Sequence, residues 1–347
     1  MKHKVLLLGL GFWANFWLKV IQQTDNVELV GITGAEAEIE KACKEYGISK
    51  DIAYTDYKEA IEKADAEIMV IVIPAALHAD AAKRGMDKGL HIIMEKPLAT
   101  SLEEAKELLE YKANYPKLKF MTSQNYRWRT YNQTIKKAIL DGMIGNPESI
   151  LVEFRKQEDL QGYRAGLDMP LLRDCSIHHF DLIRFFTGSD CKEINCRVYR
   201  PNWSKFNGKP NTDAIMTLTD GTKVVYNGSW AARGRESSWD GNFVITGDKG
   251  CLTLDAANDV RFFEFKEGEV SFEAKLEEGV LLEQVKMEAT EMQYGLLQFI
   301  KAIEEDTVPE TTLEDNIKSF EMICAGMASV DSNQNIILGL TEQFRKG

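Results

Sequence analysis

The sequence predicts a two-domain α/β protein: a doubly wound parallel sheet, then an α+β domain with an open, mainly antiparallel sheet. Three observations carry this. The first third alternates helical patterns with the apolar runs "KVLLLGL", "VELVGIT", "AEIMVIVIP" and "HIIMEKP", and strands apolar throughout are buried between helices on both faces. Later strands are shorter and joined by glycine turns, as in "LTDGTK" and "ITGDKG", which signals hairpins. Finally, 347 residues exceed what one core usually supports, and the change of pattern divides the chain into 1–122 and 123–347.

The elements follow in order. Helices are predicted around "NFWLKVIQQT", over "AEIEKACKEYG" with Gly47 closing it, over "TDYKEAIEKA", and over "LHADAAKRGMDKG" with Gly89 at its end. Ser101 and Glu104 have capping-box spacing at the start of "SLEEAKELLEYKANY". In the second domain "YNQTIKKAILDGMIG" and "CSIHHFDLIRFFTG" read as helices flanking a strand at "ESILVEFRK". Hairpins are expected to turn at Asp220-Gly221 and between Gly247 and Gly250, and two helices follow at "EMQYGLLQFIKAIEED" and "LEDNIKSFEMICAGMASVDS".

Composition excludes several function classes. The net charge of −12 argues against a nucleic-acid or anionic-membrane partner. No apolar run is long enough to span a bilayer. The six cysteines form no CxxC pair, which fits a reduced cytoplasmic setting.

Between the first strand and helix, "GLGFWA" fits G-x-G-x-x-A. Gly9 permits the tight turn, Gly11 lets backbone approach a pyrophosphate, and Ala14 lets helix and strand pack closely. Alone the motif is weak; in this βαβ setting it predicts a dinucleotide site. The second strand ends at Gly34, where an acidic residue would grip the adenosine ribose. Glycine there leaves room for a 2′-phosphate, yet no Arg or Lys stands between Gly34 and Lys41. Glu36 or Glu38 could reach the ribose instead, so the expected cofactor is NAD, with NADP open.

"MEKPLA" places Lys96 at the carboxyl end of a strand, where open α/β sheets bind ligands. Pro97 can aim it through a cis peptide; the plainer alternative is a surface lysine beside a loop proline. In "LLRDCSIHHFDLIRFF", Asp174 and His178 are spaced i, i+4 and would share one face of a helix, with Asp181 at i+7. His179 would point about 100° away, toward packing or a supporting hydrogen bond. A carboxylate can orient an imidazole and favour its protonated form, which suits a proton acceptor. Metal ligation is the competing reading, without an H-E-x-x-H or a cysteine pair behind it; no metal is expected. A satisfied structural histidine is the third.

Successive landmarks then agree: "GLGFWA", "IPAALHADAAKRGMDKGLHIIMEKPLATSLEEAKEL", "QNYRWR", "GMIGNPESI", "LLRDCSIHHFDLIRFFTG", "GSWAARG" and "VITGDKGCLTLD". On these the chain resembles the Gfo/Idh/MocA (glucose-fructose oxidoreductase / inositol dehydrogenase) family over essentially its full length. The block with "EKP" is the most specific piece. The resemblance implies a Rossmann domain, then an α/β domain whose open sheet serves a homodimer or homotetramer. It implies Lys96, Asp174 and His178 as the catalytic set. It places Phe12 and Trp13 at the pyrophosphate turn, Pro74 and His78 along the cofactor, and Glu95 near the nicotinamide ribose. Tyr126, Arg127, Arg164, Trp230 and Arg233 are the implied substrate neighbours. Ile73 stands where the family often has Thr.

The implied activity is an NAD(P)-dependent dehydrogenase acting on a secondary alcohol of a sugar, cyclitol or glycoside, with His178 taking the hydroxyl proton. Two alternatives differ in observable ways. A glycoside-cleaving enzyme using transient oxidation would form no net NADH. A non-catalytic nucleotide sensor would not need Lys96, Asp174 and His178.

Overall fold

The computed structural model of the chain describes residues 2–158, 162–265, 268 and 279–340. Its elements begin β1 (His3–Leu8), α1 (Ala14–Gln23), β2 (Val27–Thr33), α2 (Glu36–Tyr46), β3 (Ala53–Tyr54), α3 (Tyr57–Lys63), β4 (Ile68–Ile71), α4 (His78–Asp87), β5 (His91–Met94), α5 (Leu102–Lys112) and β6 (Phe120–Thr122). They continue as α6 (Thr130–Leu140), β7 (Pro147–Arg155), α7 (Pro170–Asp174), α8 (Ser176–Thr187), β8 (Cys191–Tyr199), β9 (Asn211–Leu218) and β10 (Lys223–Ser229). The last are β11 (Asn242–Gly247), β12 (Gly250–Leu254), β13 (Val260–Glu264), β14 (Val280–Leu281), α9 (Glu291–Glu304), α10 (Leu313–Ser332) and β15 (Ile336–Ile337). One compact unit holds the chain up to Trp128 together with Glu288–Ile317; a second holds Arg129–Met287 and the chain from Lys318.

In the first unit six strands run in the order β3-β2-β1-β4-β5-β6, and every neighbouring pair is parallel. This is the doubly wound order, and it reverses between β1 and β4, the switch point where such sheets bind ligands. The apolar runs explain it: Leu6, Leu7 and Leu8 of β1, all of β4, and Ile92, Ile93 and Met94 of β5 are fully buried. Gly47 ends α2 in the left-handed conformation, φ 66°, as its sequence position predicts. At α5 Glu104 donates its N–H to Ser101 Oγ at 3.2 Å, while its carboxylate accepts from the N–H of Thr100 at 2.8 Å. The box forms, one residue wider on its return side.

The second unit carries nine strands in the order β14-β13-β12-β11-β7-β10-β9-β8-β15. Among the described residues only β7 and β10 pair in parallel; the other pairs are antiparallel. Both predicted hairpins form, β9 with β10 and β11 with β12. Alternation sets one face inward, with Ile150, Val152, Phe154, Val224, Tyr226, Phe243 and Ile245 buried. Helix α8 lies on that face: Phe180 meets Tyr226 edge-on at 5.2 Å between ring centroids, and Phe186 meets Phe243 at 5.3 Å. Burying such a ring stabilises by roughly 1.5–3 kcal/mol. Among the described residues, no helix is long and apolar enough to cross a membrane.

Candidate active site

Three segments leave the carboxyl ends of adjacent strands β1, β4 and β5. After β1, Gly9 has φ +100°, and a Cβ there would lie 2.8 Å from the carbonyl oxygen of Val72. Only glycine fits. Its N–H donates to the carbonyl and the hydroxyl of Thr33, each at 3.0 Å, tying the turn to β2. A Cβ on Gly11 would meet nothing within 4 Å, so this side of the turn is open to a ligand. Ala14 is fully buried at the start of α1. No side chain caps that helix, so its positive end is left for an anion. The residues present therefore fit a dinucleotide pyrophosphate. Phe12, with 67% of its surface exposed, and Trp13 meet edge-on at 5.4 Å.

Two expectations about the ribose end change. Gly34 does not open space for a 2′-phosphate: a Cβ there would come within 2.8 Å of Leu10 Cδ1. The Leu10 side chain takes the volume where an acidic residue would begin. Glu38 accepts the N–H of Ala35 at 3.0 Å, so it caps its own helix, while Glu36 stays exposed.

After β4 come Pro74 and His78. His78 is buried, and its ring nitrogens lie 2.8 Å from the carbonyl oxygens of Pro97 and Ile73. It thus braces the segment carrying Lys96. After β5, Glu95 is buried and accepts the indole N–H of Trp17 at 2.9 Å. Burial raises its pKa, against the Trp17 bond and the Lys96 ammonium. Lys96 is half-buried, and its peptide bond to Pro97 is cis.

Tyr126 and Arg127 lie in a buried 3-10 turn, Asn125–Trp128. Arg127 donates to Asp315 at 2.8 Å and Trp128 to Glu310 at 2.7 Å. These bonds tie the turn to the returning segment.

In the second unit the reading of Asp174 and His178 on one helix is corrected. Helix α7 ends at Asp174 and α8 starts at Ser176, with Cys175 (φ −109°, ψ −35°) between them. The N–H of His178 donates to the carbonyl of Cys175 at 3.0 Å, an i−3 bond that tightens the joint. Asp174 forms an ion pair with Arg164 at 3.0 Å, so a proposed catalytic carboxylate and a proposed substrate arginine are neighbours. Asp181 is fully committed to the fold: buried, it accepts from Ser319 Oγ at 2.6 Å and lies 3.9 Å from Arg184.

Trp230 is buried and parallel to Phe206, 6.3 Å between centroids. Arg233 is exposed, its guanidinium 5.1 Å from the ring centre of Trp203. Trp203, 47% exposed, donates its indole N–H to Ala231 at 2.8 Å. Sequence reasoning passed over Trp203 and Trp17; a lone Trp in the loop "RPNWSKFNGKP" was the only signal for the former. No group of three or more His, Cys, Asp or Glu is arranged to hold a metal among the described residues.

The first unit's strand order, glycine turn and uncapped helix are those of a dinucleotide-binding Rossmann domain. The chain belongs to the GFO/IDH/MocA family: residues 3–122 match its model described as "Oxidoreductase family, NAD-binding Rossmann fold", and residues 132–253 its C-terminal domain. It is 27% identical to a D-apiose dehydrogenase of Paraburkholderia graminis, over 74% of this chain and 68% of that one. It is 23% identical to an inositol 2-dehydrogenase of Rhizobium meliloti, over 95% and 97%. Its fold is shared with an oxidoreductase from Agrobacterium radiobacter solved with NAD+, L-tartaric acid and magnesium: TM-score 0.86, 20% identity, 98% and 100% of the two chains.

Proposed function

We propose that the chain is an NAD-dependent dehydrogenase oxidising a secondary alcohol of a sugar or cyclitol. The observation that carries this is Lys96, set directly after β5 beside the switch point of an NAD-binding sheet. Relatives acting on D-apiose and inositol support a polyhydroxylated substrate. The Gly9–Ala14 turn and the start of α1 would hold NAD, which would supply the hydride acceptor. His178 accepts the hydroxyl proton, and the Lys96 ammonium stabilises negative charge developing on that oxygen. Asp174 orients substrate hydroxyls and is itself steadied by Arg164. Ketone reduction uses the same groups in reverse.

NADH formation across a panel of sugars, cyclitols and glycosides tests the reading. Lys96→Ala and His178→Ala should each lower kcat at least about a hundredfold while NAD binding persists. Wild-type turnover in either variant removes that residue from the chemistry.

We also infer a homo-oligomer. Val244, Leu151, Val225 and Ile215 form one cross-strand row, all exposed on the outer face of the nine-stranded sheet. Such a row can pair with its own copy about a two-fold axis. Leu151→Lys should shift the mass measured by light scattering to that of a monomer; an unchanged mass would clear this face.

A further inference from the structure

The neighbouring histidine, His179, is fully buried and takes part in no step proposed above. Its Nε2 lies 3.0 Å from the carbonyl oxygen of Trp239. A carbonyl only accepts, so Nε2 carries the hydrogen. Its Nδ1, 3.0 Å from the Tyr226 hydroxyl, then presents a lone pair, and Tyr226 donates to it. The Tyr226 oxygen is in turn 3.1 Å from Ser176 Oγ, whose hydroxyl donates. One orientation of hydrogens satisfies every contact, running Ser176 to Tyr226 to His179 to the Trp239 carbonyl.

Both ends of this chain are anchored. Tyr226 stands on β10, and its hydroxyl occupies space that a Cβ on Gly228 would enter, 2.6 Å away. Trp239 precedes Asp240, which is buried and accepts from Asn132 at 2.6 Å and Tyr131 at 2.9 Å, with Arg129 also bound to it. The Phe154 ring closes against His179, 4.5 Å between centroids. Helix α8 is thereby held to β10 on one side and, through Trp239, to the start of α6 on the other.

We infer that His179 is a positioning residue: its two opposed hydrogen bonds set the rotation of α8 and so the direction in which His178 points. The geometry carries this because successive helix residues are about 100° apart, so clamping His179 against sheet and loop leaves His178 one setting. Burial pushes the His179 pKa down to about 4, with the Trp239 bond opposing and the Arg129 charge assisting. His179 therefore stays neutral near neutral pH and keeps both of these hydrogen bonds. The inference rests on the proposed role of His178.

The test needs no substrate, so it fails separately from the turnover assay of His178→Ala. In the full-length protein, with the ring nitrogens of its five histidines isotopically labelled, spectra are followed from about pH 5 to about pH 9. His179 should hold the Nε2–H tautomer throughout. In Tyr226→Phe, and in the milder Ser176→Ala should the first fold poorly, the His178 signals should shift. Their titration midpoint should move by about half a unit or more, while His3 and His91 in the first unit stay unchanged. A wild-type His179 that titrates in this range, an Nδ1–H tautomer, or His178 signals unmoved in the folded variants would each overturn the inference. A merely structural bond would lower Tm and leave those signals in place.

Discussion

Two histidines, one in each unit, are buried with both ring nitrogens engaged, yet their partners differ in kind. His179 sits between a carbonyl and a hydroxyl. A neutral ring satisfies both, because the hydroxyl can turn to donate. His78 sits between two carbonyls. A neutral ring donates to one, and its remaining lone pair faces the other. Burial nonetheless lowers the pKa of His78, against its bonds to Pro97 and Ile73. The difference teaches that a buried imidazole is read from the polarity of its partners, since burial alone treats the two alike.

The largest effect expected from this comparison is acid sensitivity at His179. Its pKa falls from 6.5 to about 4 on folding, so the unfolded chain binds the proton more readily. Its contribution is complete above pH 6.5 and is lost as pH falls toward 4, amounting to about 3 kcal/mol. Urea unfolding at a series of pH values should show this slope in the wild type and its absence in His179→Gln. Equal slopes would break the comparison on the His179 side.

His78→Leu comes next. It strips the ring's one N–H donor from the Pro97 and Ile73 carbonyl pair and should cost about 1–3 kcal/mol, read from the urea midpoint. NAD-dependent turnover should fall further than stability does, since the segment released carries Lys96. A variant as stable and active as wild type would show that the two carbonyls need no partner.

The smallest effect has the opposite sign. His3 lies 2.8 Å from Glu67 and 3.1 Å from Glu304. Its burial opposes charge, but the bonds to Glu304 and Glu67 prevail, and its pKa is raised above 6.5. Its contribution is therefore full below pH 6.5 and lost as pH rises through the raised value. Because both glutamate partners are exposed, His3→Gln should cost at most about 1 kcal/mol, and less in high salt. Thermal melts at low and high salt would show it; a larger loss at pH 9 than at pH 6 would reverse the assigned sign.

What was legible in the sequence was local. Gly9, Gly11 and Ala14, the Gly47 stop, and the turns at Asp220-Gly221 and Gly247 to Gly250 announce themselves because each demand falls on neighbouring residues. The break at Cys175 was hidden, since an i, i+4 pattern reads the same whether or not the helix is continuous. Likewise nothing near Gly34 signals that Leu10 fills its side-chain space. Tyr226 reads as one more alternating strand residue, and its link to His179 spans 47 positions. Pairing across such separations is set by packing, which periodicity does not encode.

The returning segment has a consequence for synthesis. The carbonyl of Thr122 accepts the Thr311 hydroxyl at 2.6 Å, and the Arg127 and Trp128 bonds reach Asp315 and Glu310. These partners lie between 182 and 189 residues downstream. A ribosome must therefore make most of the polypeptide before the edge beside β6 can close. Until then the Trp128 indole, destined to pack against Gly295, has nothing to cover it, and a fragment cut after Trp128 would be a sticky, half-finished module.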